Sequence, residues 1–189
     1  MSESLNQNFN HLKVHTQYSI CEGAAKIDDL QEYCKSNKIK SLGISDTSNL
    51  CGALEFAEKI SKSGTQPIIG TQINFKLNDT TGLLPLFALN ETGYKNIIEL
   101  SSNSYLENDE LSDPHVNFDE LLKSSDGVSV FSGTVLGLFG KLFDKGKFTE
   151  INEIYSKIKD VFGDRFYLEI QRHNDINENG FEKFNLKQS

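Results

Sequence analysis

The sequence predicts an α/β fold, a parallel sheet covered by helices that is either a barrel or an open doubly wound sheet. Two observations predict it. Short apolar strands alternate with segments of helical period, and the connections between them are short. The 189 residues are enough for one sizeable domain, with 37% hydrophobic and 24% charged residues, too apolar for a disordered chain.

"LKVH" (12–15) alternates apolar and polar residues and reads as a strand. The helix that follows places Ile27, Leu30 and Cys34 on one face, with acids early and lysines late as the helix dipole prefers. Residues 41–45 form a short strand. "NLCGALEFAEKISKSG" reads as a helix with Leu50, Leu54, Ala57 and Ile60 on one face and Gly64 as its stop. Residues 67–75 and 83–89 are strands, and "TGYKNIIELSSNSY" is helical. The acidic stretch 104–120 reads as a loop leading into a short helix over 117–122. Residues 127–133 are a strand entering a glycine turn. A helix with Phe148, Ile151, Tyr155, Ile158 and Phe162 on one side ends at Gly163, before a strand at 165–171. The last segment starts as a helix with Phe181 and Phe184 three apart. The reading is six βα-type repeats.

Composition excludes several classes. The formal net charge of −8, with lysines interleaved among acids, argues against gripping nucleic acid directly. No apolar run approaches the length of a membrane span, and residues 1–10 lack the features of a secretion signal, so a cytoplasmic protein without membrane contact is expected. The first eight residues read as a disordered tail. Cys21, Cys34 and Cys51 form no CxxC pair and read as free thiols. "GTVLGLFG" lacks the pattern of a phosphate-binding loop.

In either architecture ligands gather at the C-terminal ends of strands, where His15, Asp46, Gln72, Ser132 and Gln171 are expected. "HLKVHTQYSICEGAAKIDDL", "GISDTSNLCGALEF", "PIIGTQINF", "LFALNETGYKNIIEL" and "RFYLEIQRHN" occur in an order and at spacings that resemble the polymerase-and-histidinol-phosphatase (PHP) domain, in the branch found at the N-terminus of bacterial DNA polymerase III alpha subunits. The resemblance runs from about residue 9 to the end. It implies a distorted (β/α)7 barrel, here incomplete with about six strands. The seventh strand and its Asp-x-His segment would lie beyond residue 189.

Metal-active members of that family hold a cluster of ions with histidines and carboxylates, and a bridging water becomes the nucleophile. Carried over position by position, the first His-x-His motif falls on Lys13 and His15, and the acid that follows falls on Glu22. The Asp-His motif falls on Asp46 and Thr47, a later glutamate on Gln72 and a later histidine on Leu83. The ligand after the serine-glycine pair falls on Thr134. Only His15, Glu22 and Asp46 keep a side chain able to bind metal. A lysine ammonium has no lone pair and repels a cation. The eight positions therefore read as vestigial, with no catalytic, cofactor or metal residue expected in this stretch.

The plainer readings make Asp46 a hydrogen-bond acceptor at a helix N-terminus, His15 a satisfied pocket histidine and Lys13 a partner of Glu22 or Asp46. His11 and His115 are expected on the surface, and His173 in a supporting or surface role. The resemblance implies DNA-directed DNA polymerase activity for the intact protein, with Mg²⁺ in a polymerase site outside these residues. It implies a non-catalytic domain that braces the polymerase III core and docks the proofreading exonuclease subunit. DNA would be touched only through other domains. Exposed aromatics in "LGLFGKLFDKGKF" are the candidate contact. The alternatives are a metal-dependent phosphoesterase or 3′–5′ exonuclease, disfavoured by Lys13, Thr47, Gln72 and Leu83, and a free-standing scaffold.

Overall fold

A computed structural model describes residues 9–108, 112–173 and 176–188, so the expected tail over the first eight residues lies outside the described residues. The chain forms two compact units, residues 1–72 and 73–189.

The first unit is a βαβ arrangement. Helix α1 (Ile27–Asn37) carries Asp28 and Asp29 in its first turn and Lys35 in its last. Strand β1 (Ser41–Thr47), helix α2 (Ala53–Lys62) and the first half of β2 (Gln66–Leu77) follow. The two strands are parallel, with Ser41 opposite Gln66 and Thr47 opposite Gln72. A right-handed crossover through a helix is the standard way to join such strands. Ile27, Cys34, Leu42, Ile44, Phe56 and Ile60 form the core. Burial pushes the Cys34 thiol pKa up.

Two expectations are corrected here. Residues 12–15 are not a strand. Gly43 N–H donates to His11 O at 2.7 Å and Ser45 N–H to Val14 O at 2.9 Å. Three residues on one side therefore span two on the other, and the slip breaks the ladder. The approach is close: a Cβ on Gly43 would stand 2.8 Å from Leu12 O. The buried face of α2 is Ala53, Phe56 and Ile60, while Leu54 is 71% exposed. Turning Phe56 inward buries more apolar area than Leu54 would.

The second unit holds the rest of β2 with β3 (Thr80–Ala88), β4 (Val116–Asn117), β5 (Val128–Phe131) and β6 (Phe166–Tyr167). Only Asn78 and Asp79 separate β2 from β3, and Asn78 takes the left-handed conformation at φ 51° that such a tight turn needs. Strand β3 pairs antiparallel with β5, and β5 pairs parallel with β6. The sheet is therefore mixed, not the series of parallel βα repeats that the sequence predicts. No helix fits into a two-residue connection. The last strand is also shorter than expected.

Helices α3 (Glu91–Leu106), α4 (Phe118–Lys123), α5 (Leu138–Asp144), α6 (Phe148–Phe162) and α7 (Ile176–Leu186) complete this unit. Asn90 caps α3 by accepting from Gly93 N–H at 2.9 Å. Gly93 also lies against Gly127: a Cβ there would meet Gly127 O at 1.8 Å. Helix α6 buries Ile151, Ile154, Tyr155, Ile158 and Phe162, while Phe148 is half exposed. The 136–148 stretch is not an open aromatic surface. It contains α5, whose Leu138, Phe139 and Leu142 are fully buried, leaving Leu136 and Phe148 outward. Phe143 stacks edge-on against Phe148 and Phe181 and tilted against Phe184, which ties α7 to α5. Among the described residues no helix is long and apolar enough to cross a membrane.

Candidate functional site

The polar cluster of the first unit is built from three pieces of chain: the turn over 16–22, the end of β1 and the middle of β2. Asp46 sits near the end of β1 and is 1% exposed. Its Oδ1 accepts from Thr16 N–H at 2.6 Å and from Ser19 Oγ at 2.7 Å, and its Oδ2 accepts from Thr16 Oγ1 at 2.7 Å. Each hydroxyl also accepts a backbone amide: Thr16 Oγ1 from Tyr18 at 3.2 Å, Ser19 Oγ from Thr47 at 3.1 Å. A hydroxyl has one proton to give, so both must give theirs to Asp46.

A second chain of bonds lies beside the first. Gln72 Nε2 donates to Thr47 Oγ1 at 2.9 Å, and Thr47 Oγ1 donates to Glu22. Because Thr47 spends its proton on Glu22, Gln72 must present its NH₂ end to the cluster. Positions 22, 47 and 72 thus meet side chain to side chain. Sequence carry-over placed these three and Asp46 at the site, and the structure brings them together within one unit.

The other carried-over positions fall differently. Lys13 is half-buried. His15 is half-buried, and its Nδ1 is enclosed without a hydrogen-bond partner, so it is not the satisfied histidine expected. The nearby donors, Thr16 N–H and Oγ1, are both turned to Asp46. Asp46 is not a helix cap either: the residue preceding α2 is Gly52, and Asp46 serves the 16–19 turn instead. Thr16 and Ser19 serve both oxygens of the carboxylate. In the second unit Leu83 lies half-buried on β3, and its carbonyl backs onto Gly133 and Gly137, either side of Thr134. Thr134 Oγ1 accepts from Leu136 N–H at 3.2 Å, a local turn bond. Sequence reasoning missed Thr16 and Ser19. The hydroxyl pair in "HTQYS", three residues apart, was the available signal.

The turn is braced from outside. Tyr18 packs over Gly52, where a Cβ would stand 2.7 Å from its ring, and its hydroxyl donates to Glu55 at 2.7 Å. Lys59 pairs with Glu55 at 2.8 Å and with Asp28 of α1. Glu55 holds the Tyr18 phenol above its ordinary pKa, and Lys59 holds Glu55 below its own.

The remaining histidines are structural or exposed. His11 is exposed and meets Phe9 edge-on. His115 is half-buried rather than fully solvated, with Nδ1 2.8 Å from Asp113 O. His173 meets Glu178 through its backbone N–H and through Nδ1 at 2.7 Å. The cysteines are free, Cys34 buried and the other two exposed.

Metal chemistry can be tested on this donor set. A cation needs converging lone pairs, and catalytic sites supply at least three protein ligands plus an open position. Here Gln72 presents N–H, Thr47 Oγ1 accepts from Gln72 and donates to Glu22, and three hydrogen bonds occupy Asp46. Among the described residues no three His, Cys, Asp or Glu side chains come together as a metal would require. The residues present do not fit the ion cluster of the metal-active family members.

The PHP domain family matches residues 11–173, and the chain belongs to that family. The mixed α/β arrangement fits a partial PHP barrel. The chain is 38% identical over 186 residues to the DNA polymerase III subunit alpha of Caulobacter vibrioides, covering 92% of this chain and 16% of that one. It is 37% identical over 181 residues to the subunit of the same name from Borreliella burgdorferi, covering 90% and 16%. It thus spans about a sixth of the length of these relatives. A solved amidohydrolase structure from Chromobacterium violaceum is 14% identical with a TM-score of 0.39, over 50% of this chain and 34% of that one.

Proposed function

We propose that this chain is the PHP portion of a replicative DNA polymerase III alpha-type subunit, and that this portion is structural and non-catalytic. The intact protein would carry out template-directed DNA synthesis, with Mg²⁺ bound in a polymerase site outside these residues. The observation that carries the non-catalytic reading is the hydrogen-bond web at Asp46, Thr47, Glu22 and Gln72. It spends on hydroxyls and an amide the lone pairs that hydrolysis would need on metal ions.

The net charge of −8 supports a domain that holds proteins rather than DNA. Its partners would be the remaining polymerase III core, including the proofreading exonuclease subunit, in the bacterial cytoplasm. The competing phosphoesterase or 3′–5′ exonuclease reading has a direct test. The purified chain is incubated with bis(p-nitrophenyl) phosphate and with a 3′-labelled single-stranded oligonucleotide, each with Mn²⁺ or Zn²⁺. The expected result is no hydrolysis above the protein-free rate. Metal-dependent turnover that EDTA abolishes would overturn the non-catalytic reading.

A further inference from the structure

We infer that Asp46 is the resident crosslink of the first unit, holding the 16–22 turn onto the sheet by hydrogen bonds alone. The inference rests on the non-catalytic reading above and goes beyond it, because a chain can lack metal without having anything built in its place.

Four observations carry it. The carboxylate is 1% exposed, so water cannot replace a lost partner. Among the described residues its side-chain bonds run to Thr16 and Ser19, 30 and 27 positions earlier in the sequence, so it closes a long loop. Every proton in the cluster has a fixed direction. Ser19 and Thr16 each accept one backbone amide and donate once, to Asp46. Finally, Thr71 Oγ1 donates to the Asp46 carbonyl at 2.6 Å, so the next strand fixes the backbone of this same residue.

The consequence is a requirement for an acceptor-only group. Asparagine has the same shape, but one end of its amide is a donor. It can accept the Thr16 amide and the Ser19 hydroxyl with its oxygen. Its NH₂ then faces Thr16 Oγ1, which must turn its proton away and give up its bond to this residue. An isosteric change should therefore open the turn although no volume is lost.

The experiment uses the 189-residue chain with two readouts, thermal unfolding and amide hydrogen exchange at Thr16 and Thr47. Asp46→Asn is compared with the unchanged chain, each with EDTA, Mn²⁺ or Zn²⁺. Ser19→Ala serves as a milder variant if Asp46→Asn does not fold. The expected result for Asp46→Asn is a midpoint lower by at least about 5 °C. Exchange at both amides should be at least about tenfold faster. For Ser19→Ala, exchange at Thr47 should be faster. In the unchanged chain neither EDTA nor metal should move the midpoint. Unchanged midpoint and protection in Asp46→Asn would overturn the crosslink. A metal-raised midpoint in the unchanged chain would overturn the non-catalytic reading instead, so the two failures are separable.

Discussion

Asp46 in the first unit and Asp79 in the second are held in opposite ways. Asp46 is buried, and its oxygens are served by two hydroxyls and a backbone amide. Asp79 sits at the β2–β3 turn with a side chain 67% exposed, facing Lys147 at 2.8 Å and Lys145 at 3.7 Å. Lys147 in particular holds its carboxyl down to about 2. Buried carboxylates must have their lone pairs served locally, because water is absent. Exposed ones gain little from a cation, because water would serve as well. The difference is that ion pairs hold the exposed carboxylate at Asp79, while neutral donors serve the buried one at Asp46.

Four sets of substitutions probe the two units, in falling order of effect. Asp46→Ala strands three buried donors and should lower unfolding free energy by about 3 kcal/mol in urea titration. The loss should persist at high salt. Phe143→Ala removes the ring shared by Phe148, Phe181 and Phe184, and should cost about 2 kcal/mol. Limited proteolysis should then cut first in α7.

Thr47→His combined with Gln72→Glu puts ligand chemistry where positions 22, 47 and 72 already converge. Isothermal titration should show Zn²⁺ binding by the double variant and none by the unchanged chain. The smallest effect belongs to Asp79→Asn, a slight midpoint shift that salt removes. Its pH dependence has a defined sign. The folded carboxyl titrates below its unfolded value, so its contribution is full above about pH 4 and is lost as pH falls toward 2. Asp79→Asn should flatten that part of the acid unfolding curve.

Much of the fold was legible from period and punctuation. The Ile27–Leu30–Cys34 spacing and the glycine stop at Gly163 mark α1 and α6, because amphipathic faces and left-handed termini are local properties. Strand direction was not legible: a two-residue turn at Asn78–Asp79 was hidden between two apolar runs, each of which reads as a strand of either sense. The false strand at 12–15 alternates correctly, yet fails because its register slips against β1, a property of two segments together. At the site, the side chains at the carried-over positions Lys13, Thr47, Gln72 and Leu83, none of them a histidine or a carboxylate, could be read directly. The hydrogen-bond web could not, since the bonds from Thr16 and Ser19 to Asp46 cross about thirty residues of sequence.

The most direct test of the central claim is the metal content of the purified chain by mass spectrometry, after dialysis against Zn²⁺ and Mn²⁺ and then buffer alone. Hydroxyl and amide partners at Asp46, Glu22 and Gln72 predict less than about a tenth of an ion per chain. A content of about one ion or more per chain, lost from Asp46→Asn, would contradict the account and make these same residues ligands.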